Sequence, residues 1–167
     1  KEPGPLLVTG PAGSGKKTFA RYFHRLGPHA QQPYIELALG EQDAARRTAS
    51  IFGEDAEGGA AGSVGYLEMM GEGTLALLHA ELLDVHQQIM LATYLKRGWF
   101  QRAFGQSRVA SKVRIVLVAY GSEDEVLAAF VPELREALAA RKLAVPALSS
   151  RVSDIPALAE HFLKRQA

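Results

Sequence analysis

The sequence predicts an α/β fold of three layers, in which helices cover both faces of a mostly parallel central sheet. Short apolar runs of strand length alternate with stretches of helical periodicity, and this alternation is typical of parallel strands joined by helical crossovers. The segment 113–119 reads VRIVLVA, which is apolar enough for a central strand buried on both faces. A glycine-rich segment follows the first apolar run, at a strand end where such folds bind ligands.

The individual elements follow from these periodicities. We predict strands at 6–9, 34–39, 74–78, 113–119 and 143–145. We predict helices at 16–26, 42–52, 85–96, 123–130, 132–140 and 154–164. Ser153 or Asp154 can cap the last helix, with Pro156 in its first turn. The segment 53–65 is rich in glycine and alanine and has no periodicity, so we expect a flexible loop.

The predicted helix 16–26 carries two distinct faces. The apolar face, expected to pack on the sheet, consists of Phe19, Tyr22, Phe23 and Leu26. The basic face, expected to be solvated, consists of Lys16, Lys17, Arg21 and Arg25.

Composition excludes several classes of protein. A length of 167 residues suits one domain with a sizeable core. The net charge of +1 provides no global field for nucleic acid or an anionic membrane. The absence of cysteine excludes disulfides and thiolate metal sites. No transmembrane run or signal peptide is visible, so we expect a cytoplasmic protein. Because the chain does not start with methionine, we expect a piece of a longer protein.

The glycine-rich segment has the pattern of a phosphate-binding loop. It reads GPAGSGKKT and matches G-x-x-x-x-G-K directly after an apolar run. Its backbone N–H groups can surround phosphate oxygens, and its lysine adds a positive charge. The predicted nucleotide-binding residues are Gly10, Pro11, Ala12, Gly13, Ser14, Gly15, Lys16, Lys17 and Thr18. Such a loop can hold ATP or ADP; a glycine turn retained only for strand-to-helix packing is the alternative.

Three longer segments point to a family. The loop runs into TFARYFHRLG; the middle of the chain reads GYLEMMGEGTLALLHAELLDVHQQIMLATYLKRGWFQRAFG; later segments read VRIVLVAYGSEDE and RVSDIPALAEHFLKR. In this order they resemble the central AAA+ ATPase domain of bacterial sigma-54-dependent transcription activators. The resemblance implies a P-loop NTPase (AAA+) fold, with an α/β subdomain at 1–152 and the first helix of a truncated helical lid at 153–167. It also implies an ATP site and contact with the sigma factor.

The first departure from the family concerns the metal and water of hydrolysis. Leu78 and His79 align with the aspartate and glutamate that hold magnesium and polarise the attacking water. Leucine has no oxygen ligand and histidine is a poor one for magnesium, which argues against a bound ion. We expect His79 to be a partly buried, hydrogen-bonded residue at the strand end. Glu81 and Asp84 are alternative acids, but we expect both to cap the following helix.

Two further departures remove polar groups from the phosphates. Tyr120 replaces an asparagine that orients water in the family, and we expect its ring to pack at the edge of the sheet. Val131 and Ala137 align with two arginines that a neighbouring subunit presents. Arg135 lies two positions from Ala137, on a different helical face, and we expect a solvated charge.

The remaining signals concern partners. The family motif GAFTGA aligns with GGAAGS at 58–63, which has no aromatic tip and argues against a sigma-54 contact.

Trp99 and Phe100, with Arg102 and Arg108, resemble an aromatic-basic patch for nucleic acid, but the family has a hairpin here and we expect both aromatics to pack. The histidines at 24, 29, 86 and 161 have no metal-site spacing.

These observations support three hypotheses. The first is a regulatory AAA+ domain of a bacterial transcription regulator, a pseudo-ATPase that binds ATP or ADP weakly or not at all and does not hydrolyse it efficiently. The second is an active ATPase that remodels sigma-54 RNA polymerase, with Glu81 or Asp84 in place of the lost acids. The third is an interaction or oligomerisation module that binds another ligand or none. We expect self-association or contacts with other domains of a longer regulator, and DNA contact only through domains outside this chain.

Overall fold

The computed structural model describes residues 4–56 and 62–166. The strands of this part of the chain are β1 (Leu6–Thr9), β2 (Tyr34–Ala38), β3 (Glu72–Leu78), β4 (Trp99–Gln101), β5 (Arg108–Ala110), β6 (Lys112–Val118) and β7 (Lys142–Ala144). Its helices are α1 (Lys16–Arg25), α2 (Ala44–Phe52), α3 (Tyr66–Met69), α4 (Val85–Arg97), α5 (Glu123–Ala129), α6 (Pro132–Leu138) and α7 (Ile155–Gln166). The predicted elements therefore exist, with boundaries shifted by one to two residues.

The central sheet is parallel, as predicted. Its strand order is β2-β3-β6-β1-β7, and β1 pairs in parallel with both β6 and β7. The chain reverses its direction of winding at β1, and ligands bind beyond the carboxyl end of such a strand in open α/β sheets. β4 and β5 form a separate antiparallel hairpin, in agreement with the family resemblance. Periodicity alone missed α3, a single turn of four residues.

The core lies on the two faces of the sheet, which gives the predicted three layers. Leu7 belongs to a large cluster with residues of α2, α4, α5 and α6. Leu6 and Val8, its neighbours along β1, belong to a smaller cluster with Ala20 of α1. Alternation along one strand thus assigns side chains to opposite faces. α1 covers the second face, and the glycine-rich loop places it there.

Short polar caps begin three of the helices. The Asp43 carboxylate accepts the N–H of the third helical residue of α2. Asp84 caps α4 and forms a reciprocal capping box with Gln87. Ser122 and Glu125 form a second capping box at α5. Before α7, Asp154 ends a 3-10 turn at Val152–Asp154 and pairs with Arg151.

The expected packing face of α1 is wrong. Lys16, Ala20 and His24 are the buried residues of the helix, at the i, i+4 and i+8 positions that share one face. Phe19, Tyr22 and Leu26 are exposed, and only Phe23 packs partly against the core. The loop before the helix sets this rotation because it turns Lys16 inward, and the small Ala20 lets the helix lie close to the sheet.

The segment 53–65 is anchored at both ends. Glu54 and Ser63 exchange backbone hydrogen bonds, and the Asp55 N–H donates to the Ala103 carbonyl in the hairpin loop. A Cβ at Gly65 would lie 2.3 Å from the Gly53 nitrogen. The glycines here allow close approach of two backbone segments. Residues 58–61 of the GAFTGA counterpart lie outside the described residues, so the expectations for this motif and for flexibility at its centre stay predictions.

No helix in the described ranges combines the length and the apolar character that a membrane span requires.

His24 connects α1 to the sheet through a buried polar contact. Its Nδ1 lies 2.9 Å from Thr74 Oγ1 on β3, and its ring lies 5.2 Å from that of Tyr34. Burial lowers the pKa of His24 below its ordinary value of 6.5, and the nearby positive charge of Arg114 lowers this pKa further. The folded protein therefore keeps this imidazole neutral over a pH range in which the unfolded chain binds a proton.

We expect the melting temperature to fall as the pH is lowered from 7 to 5, because the unfolded state then binds more protons than the folded state. The variant His24→Asn should lose part of this pH dependence, whatever its stability at pH 7. Thermal unfolding at both pH values measures the effect, with the exposed His161 changed to Asn as the matched control. An unchanged pH dependence in His24→Asn would contradict this account.

Candidate nucleotide-binding site

The glycine-rich loop turns the chain from β1 into α1, with little space around its first residue, Gly10. Gly10 has a φ of 148° and Gly15 a φ of 88°, values that side-chain-bearing residues rarely adopt. A Cβ on Gly10 would lie 2.2 Å from the Val145 carbonyl oxygen. The loop is therefore fixed against the segment that follows β7.

Lys16 folds back into this loop. It is 3% exposed, and its Nζ donates to the Gly10 carbonyl at 2.8 Å and to the Pro11 carbonyl. The Ser14 hydroxyl lies 3.5 Å from the same atom. Burial lowers the pKa of Lys16, and attraction to Glu81 opposes this effect.

The residues present fit a phosphate group. The ion pairs of the described residues do not include Lys16, whose direct acceptors are neutral oxygens. At the start of α1, Gly15 provides no side-chain cap for the first N–H groups. A buried ammonium beside a helix amino terminus favours an anion. Phosphate oxygens can replace the carbonyls that now accept from Lys16.

The predicted site residues divide into two groups. Gly10, Ser14 and Lys16 are buried, while Pro11, Ala12, Gly13, Gly15, Lys17 and Thr18 are exposed. Gly13, Gly15, Lys16 and Lys17 line one cavity of about 270 Å³ together with Tyr120. Thr18 instead lines a groove of about 540 Å³ between α1 and α7.

The basic face predicted for α1 is not a uniform solvated surface. Lys16 is buried in the loop, and Arg21 pairs with Glu36 of β2 at 2.8 Å. Lys17 and Arg25 are exposed as expected.

The end of β3 carries neither expected carboxylate. Leu78 is 4% exposed and packs in the smaller core cluster. His79 follows in the left-handed conformation, with a φ of 62°. Its Nδ1 lies 3.1 Å from Glu81 Oε1, which confirms the expected partly buried, hydrogen-bonded strand-end residue.

Tyr120 packs at the carboxyl edge of the sheet, as expected, and its ring also contacts Lys16 of the loop. It follows β6, a strand inside the sheet. Its ring stacks on His79 with centroids 4.1 Å apart and planes at 10°. The Lys16 Nζ lies 4.0 Å from the ring centroid, within the range of a cation–π interaction. Tyr120 therefore covers the lysine.

The expected capping role holds for Asp84 but is wrong for Glu81. Glu81 belongs to a 3-10 turn, Ala80–Leu82, before α4. Its Oε2 accepts the backbone N–H of Tyr120 at 3.0 Å. β3 and β6 are paired in parallel up to Leu78 and Val118, so the segments after both strands meet. That pairing is the signal by which the sequence could have indicated Glu81.

Arg151 is a second residue that sequence reasoning missed. Its Nη2 donates to the Ser14 carbonyl at 2.7 Å, and its Nη1 lies 3.3 Å from Asp154 Oδ2. This contact joins the segment before α7 to the loop, across 137 positions of sequence. Local periodicity gives no sign of such a contact.

The positions of the family's arginines serve packing in this chain. The Val131 N–H donates to Gln88 Oε1 at 2.7 Å, and Val131 packs against the core. Ala137 is half-buried, whereas Arg135 is exposed as expected.

The hairpin is mainly a packing element. Phe100 is buried in the core, as expected, and Arg102 pairs with Glu68 and Asp55. Trp99 is half-buried and lies under the Arg108 guanidinium at 4.3 Å. The aromatic-basic patch is therefore reduced, because two of its members are engaged inside the fold.

The site does not fit a resident magnesium ion. Among residues 4–56 and 62–166, no group of three or more histidine, aspartate or glutamate side chains could hold a metal. Leu78 provides no oxygen, and Thr18 lies at a different groove. Magnesium prefers octahedral oxygen ligands, and neither Leu78 nor His79 provides a side-chain oxygen at the end of β3.

Comparison with known proteins identifies the family. A family model described as the sigma-54 interaction domain matches residues 1–144, and the chain therefore belongs to that family. The response regulator protein PilR of Pseudomonas aeruginosa is 30% identical, over 98% of this chain and 38% of PilR. The Nif-specific regulatory protein of Rhodobacter capsulatus is 29% identical, over 96% of this chain and 29% of its own length. The chain thus spans about a third of these relatives.

Solved structures confirm the AAA+ P-loop fold. NtrX of Brucella abortus in complex with ATP has a TM-score of 0.85 and 29% identity, over 98% of this chain and 36% of NtrX. The complex of NtrX with ADP also has a TM-score of 0.85 and 29% identity, over 97% of this chain and 36% of NtrX. The P-loop NTPase domain of the sigma-54 transport activator of E. coli, at 23% identity and a TM-score of 0.56, supports the fold alone.

We expect Gly10→Ala to lower the stability by about 1–3 kcal/mol, the usual cost of forcing extra atoms into a packed site. The added Cβ would collide with the Val145 carbonyl and would sit on a backbone that favours glycine. Denaturant unfolding measures the change, with Gly4→Ala as the control because Gly4 has open space around it. Equal stabilities of the two variants would contradict the close approach.

Proposed function

We propose that this member of the sigma-54 interaction domain family is a regulatory AAA+ module of a bacterial transcription regulator. It binds ATP or ADP through the loop at 10–18 without efficient hydrolysis, and so acts as a pseudo-ATPase. The observation that carries the proposal is the environment of Lys16. The phosphate-binding loop surrounds its ammonium on one side, and the Tyr120 ring covers it on the other. We infer that the site keeps the groups that bind phosphate but lacks the groups that hydrolysis requires.

The binding half of the proposal is supported by the loop itself. The backbone turn, the buried ammonium of Lys16 and the start of α1 are brought together and held in place by the surrounding fold. Preformed donors reduce the free-energy cost of ordering the site on binding. NtrX, which is similar over nearly the whole chain, has been solved with ATP and with ADP.

The residues at the ends of β3 and β6 support the second part of the proposal, the absence of efficient hydrolysis. Hydrolysis of a nucleotide by a P-loop fold needs a placed metal and an oriented water. Leu78 is buried among apolar side chains, and His79 is stacked on Tyr120. None of these three side chains can supply a carboxylate to a metal-bound water.

An active ATPase is the second candidate, and the position of Glu81 favours it. This carboxylate lies at the loop rather than at the start of α4. Its two oxygens, however, contact His79 and the N–H of Tyr120. A base held by these neighbours is not directed at a water beside the phosphates, so we favour the pseudo-ATPase.

Partners are inferred from the family and from α1. The exposed apolar residues Phe19, Tyr22 and Leu26 suit self-association or contact with other domains of a longer regulator. We propose that DNA is contacted only through such domains, that the motif at 58–63 makes no sigma-54 contact, and that the protein is cytoplasmic. If the protein does not bind nucleotide, the favoured function is an interaction or oligomerisation module that binds another ligand or none.

We expect millimolar ADP to raise the melting temperature of the protein, and Lys16→Ala to weaken binding by about 10- to 100-fold, the range expected for a charged hydrogen bond. Thermal shift and calorimetric titration measure both effects. Lys112→Ala is the matched control, because Lys112 is an exposed lysine at the opposite end of the sheet. If the unmodified protein is not stabilised, the loop is a packing turn and the interaction module is favoured.

We expect no turnover of ATP with magnesium above the rate without protein, and no gain in the double variant Leu78→Asp with His79→Glu. Two carboxylates alone leave Tyr120 on the lysine and Val131 and Ala137 in place of arginines. Phosphate release at high protein concentration measures turnover. Hydrolysis by the unmodified protein that Lys16→Ala abolishes would establish the active ATPase instead.

A further inference from the structure

We propose that the loop at 10–18 selects a nucleoside diphosphate over a nucleoside triphosphate, because the Tyr120 ring occupies the space that a third phosphate needs and the Glu81 carboxylate repels it. The inference rests on the proposed function, since it specifies which nucleotide the same loop holds. It makes Tyr120 the residue that determines specificity.

The position of the third phosphate follows from the role of the lysine. In a P-loop the backbone N–H groups surround the first two phosphates, and the lysine reaches the last two. The third phosphate therefore lies beyond the lysine ammonium, towards the ends of the neighbouring strands. In this chain the segments after β3 and β6 meet at that place.

Tyr120 fills this space. Its ring centroid lies 4.0 Å from Lys16 Nζ, and it lines the cavity of about 270 Å³ with Gly13, Gly15 and Lys17. A phosphate oxygen that accepts from Nζ must approach to about 2.8 Å. The ring face blocks that approach from the strand side, whereas on the loop side Nζ donates to the Gly10 and Pro11 carbonyls, which oxygens of the second phosphate can replace.

One contact holds the ring of Tyr120 and a second contact holds its backbone. His79 stacks on it nearly in parallel, at 4.1 Å and 10°, and Glu81 accepts the backbone N–H of Tyr120. Swinging the ring away would break the stack on His79. A third phosphate would have to supply that free energy before it made its own contacts.

Charge acts in the same direction. Glu81 is close enough to Lys16 to attract its ammonium electrostatically, so it repels a phosphate at the same place. A triphosphate brings more negative charge than a diphosphate, and it is ordinarily neutralised there by magnesium. At the end of β3 this chain has Leu78 and His79 in place of carboxylates, so the protein supplies no carboxylate there to hold magnesium against the extra charge.

The test is calorimetric titration of the protein with ADP, with ATP and with a non-hydrolysable ATP analogue, each with and without magnesium. We expect ADP to bind at least about tenfold more tightly than either triphosphate, equivalent to about 1.4 kcal/mol. Magnesium should not reverse this order. Equal or tighter triphosphate binding would overturn the inference.

Three variants separate the ring from other causes. Tyr120→Ala should raise the affinity for the triphosphates relative to that for ADP, so that the preference for ADP is lost, while Tyr120→Phe should keep the preference because it keeps the ring. Tyr22→Ala is the matched control, since Tyr22 is an exposed tyrosine on the outer side of α1, and it should keep the preference. An ADP preference that persists in Tyr120→Ala would also overturn the role of Tyr120.

The failure of this inference differs from the failure of the proposed function. If neither ADP nor a triphosphate binds at millimolar concentration, nucleotide binding itself is absent. If both bind equally and Tyr120→Ala changes neither, the loop holds nucleotide and the selection is wrong.

Discussion

The buried ammonium of Lys16 is the constraint on which the rest of the site depends. Its hydrogen bonds to the Gly10 and Pro11 carbonyls close the loop, and the closed loop requires glycine where the backbone meets Val145. The inward lysine also sets the rotation of α1, so Ala20 and His24 face the sheet. One charge thus fixes the loop, the helix and the second face of the core.

The departures from the family pattern form one packed unit. Leu78 joins the core, His79 turns back and stacks on Tyr120, and the ring of Tyr120 lies on Lys16. Glu81 connects the ends of β3 and β6 through His79 and the N–H of Tyr120. These side chains contact one another where a working site would hold a metal ion and a water. This packing supports the proposal that the site binds phosphate without activating a water.

The sequence predicted the parts that depend on local pattern. Alternating periodicity indicated the parallel sheet, and the spacing of Gly10, Gly15 and Lys16 indicated the loop. Prediction from the sequence failed where a side chain's position depends on contacts between segments that are distant in the chain. The apolar residues of α1 match a core face, yet the loop rotates them outward. Glu81 and Arg151 act through contacts with Tyr120 and Ser14 that no local periodicity encodes.

A single-turnover experiment tests the central claim most directly. Protein in excess over labelled ATP, with magnesium, is incubated until binding is complete and is then quenched in acid. The account predicts that the bound nucleotide is recovered as intact ATP, at the rate of decay measured without protein. Conversion of bound ATP to ADP above that rate, lost when Lys16 is changed to alanine, would contradict it.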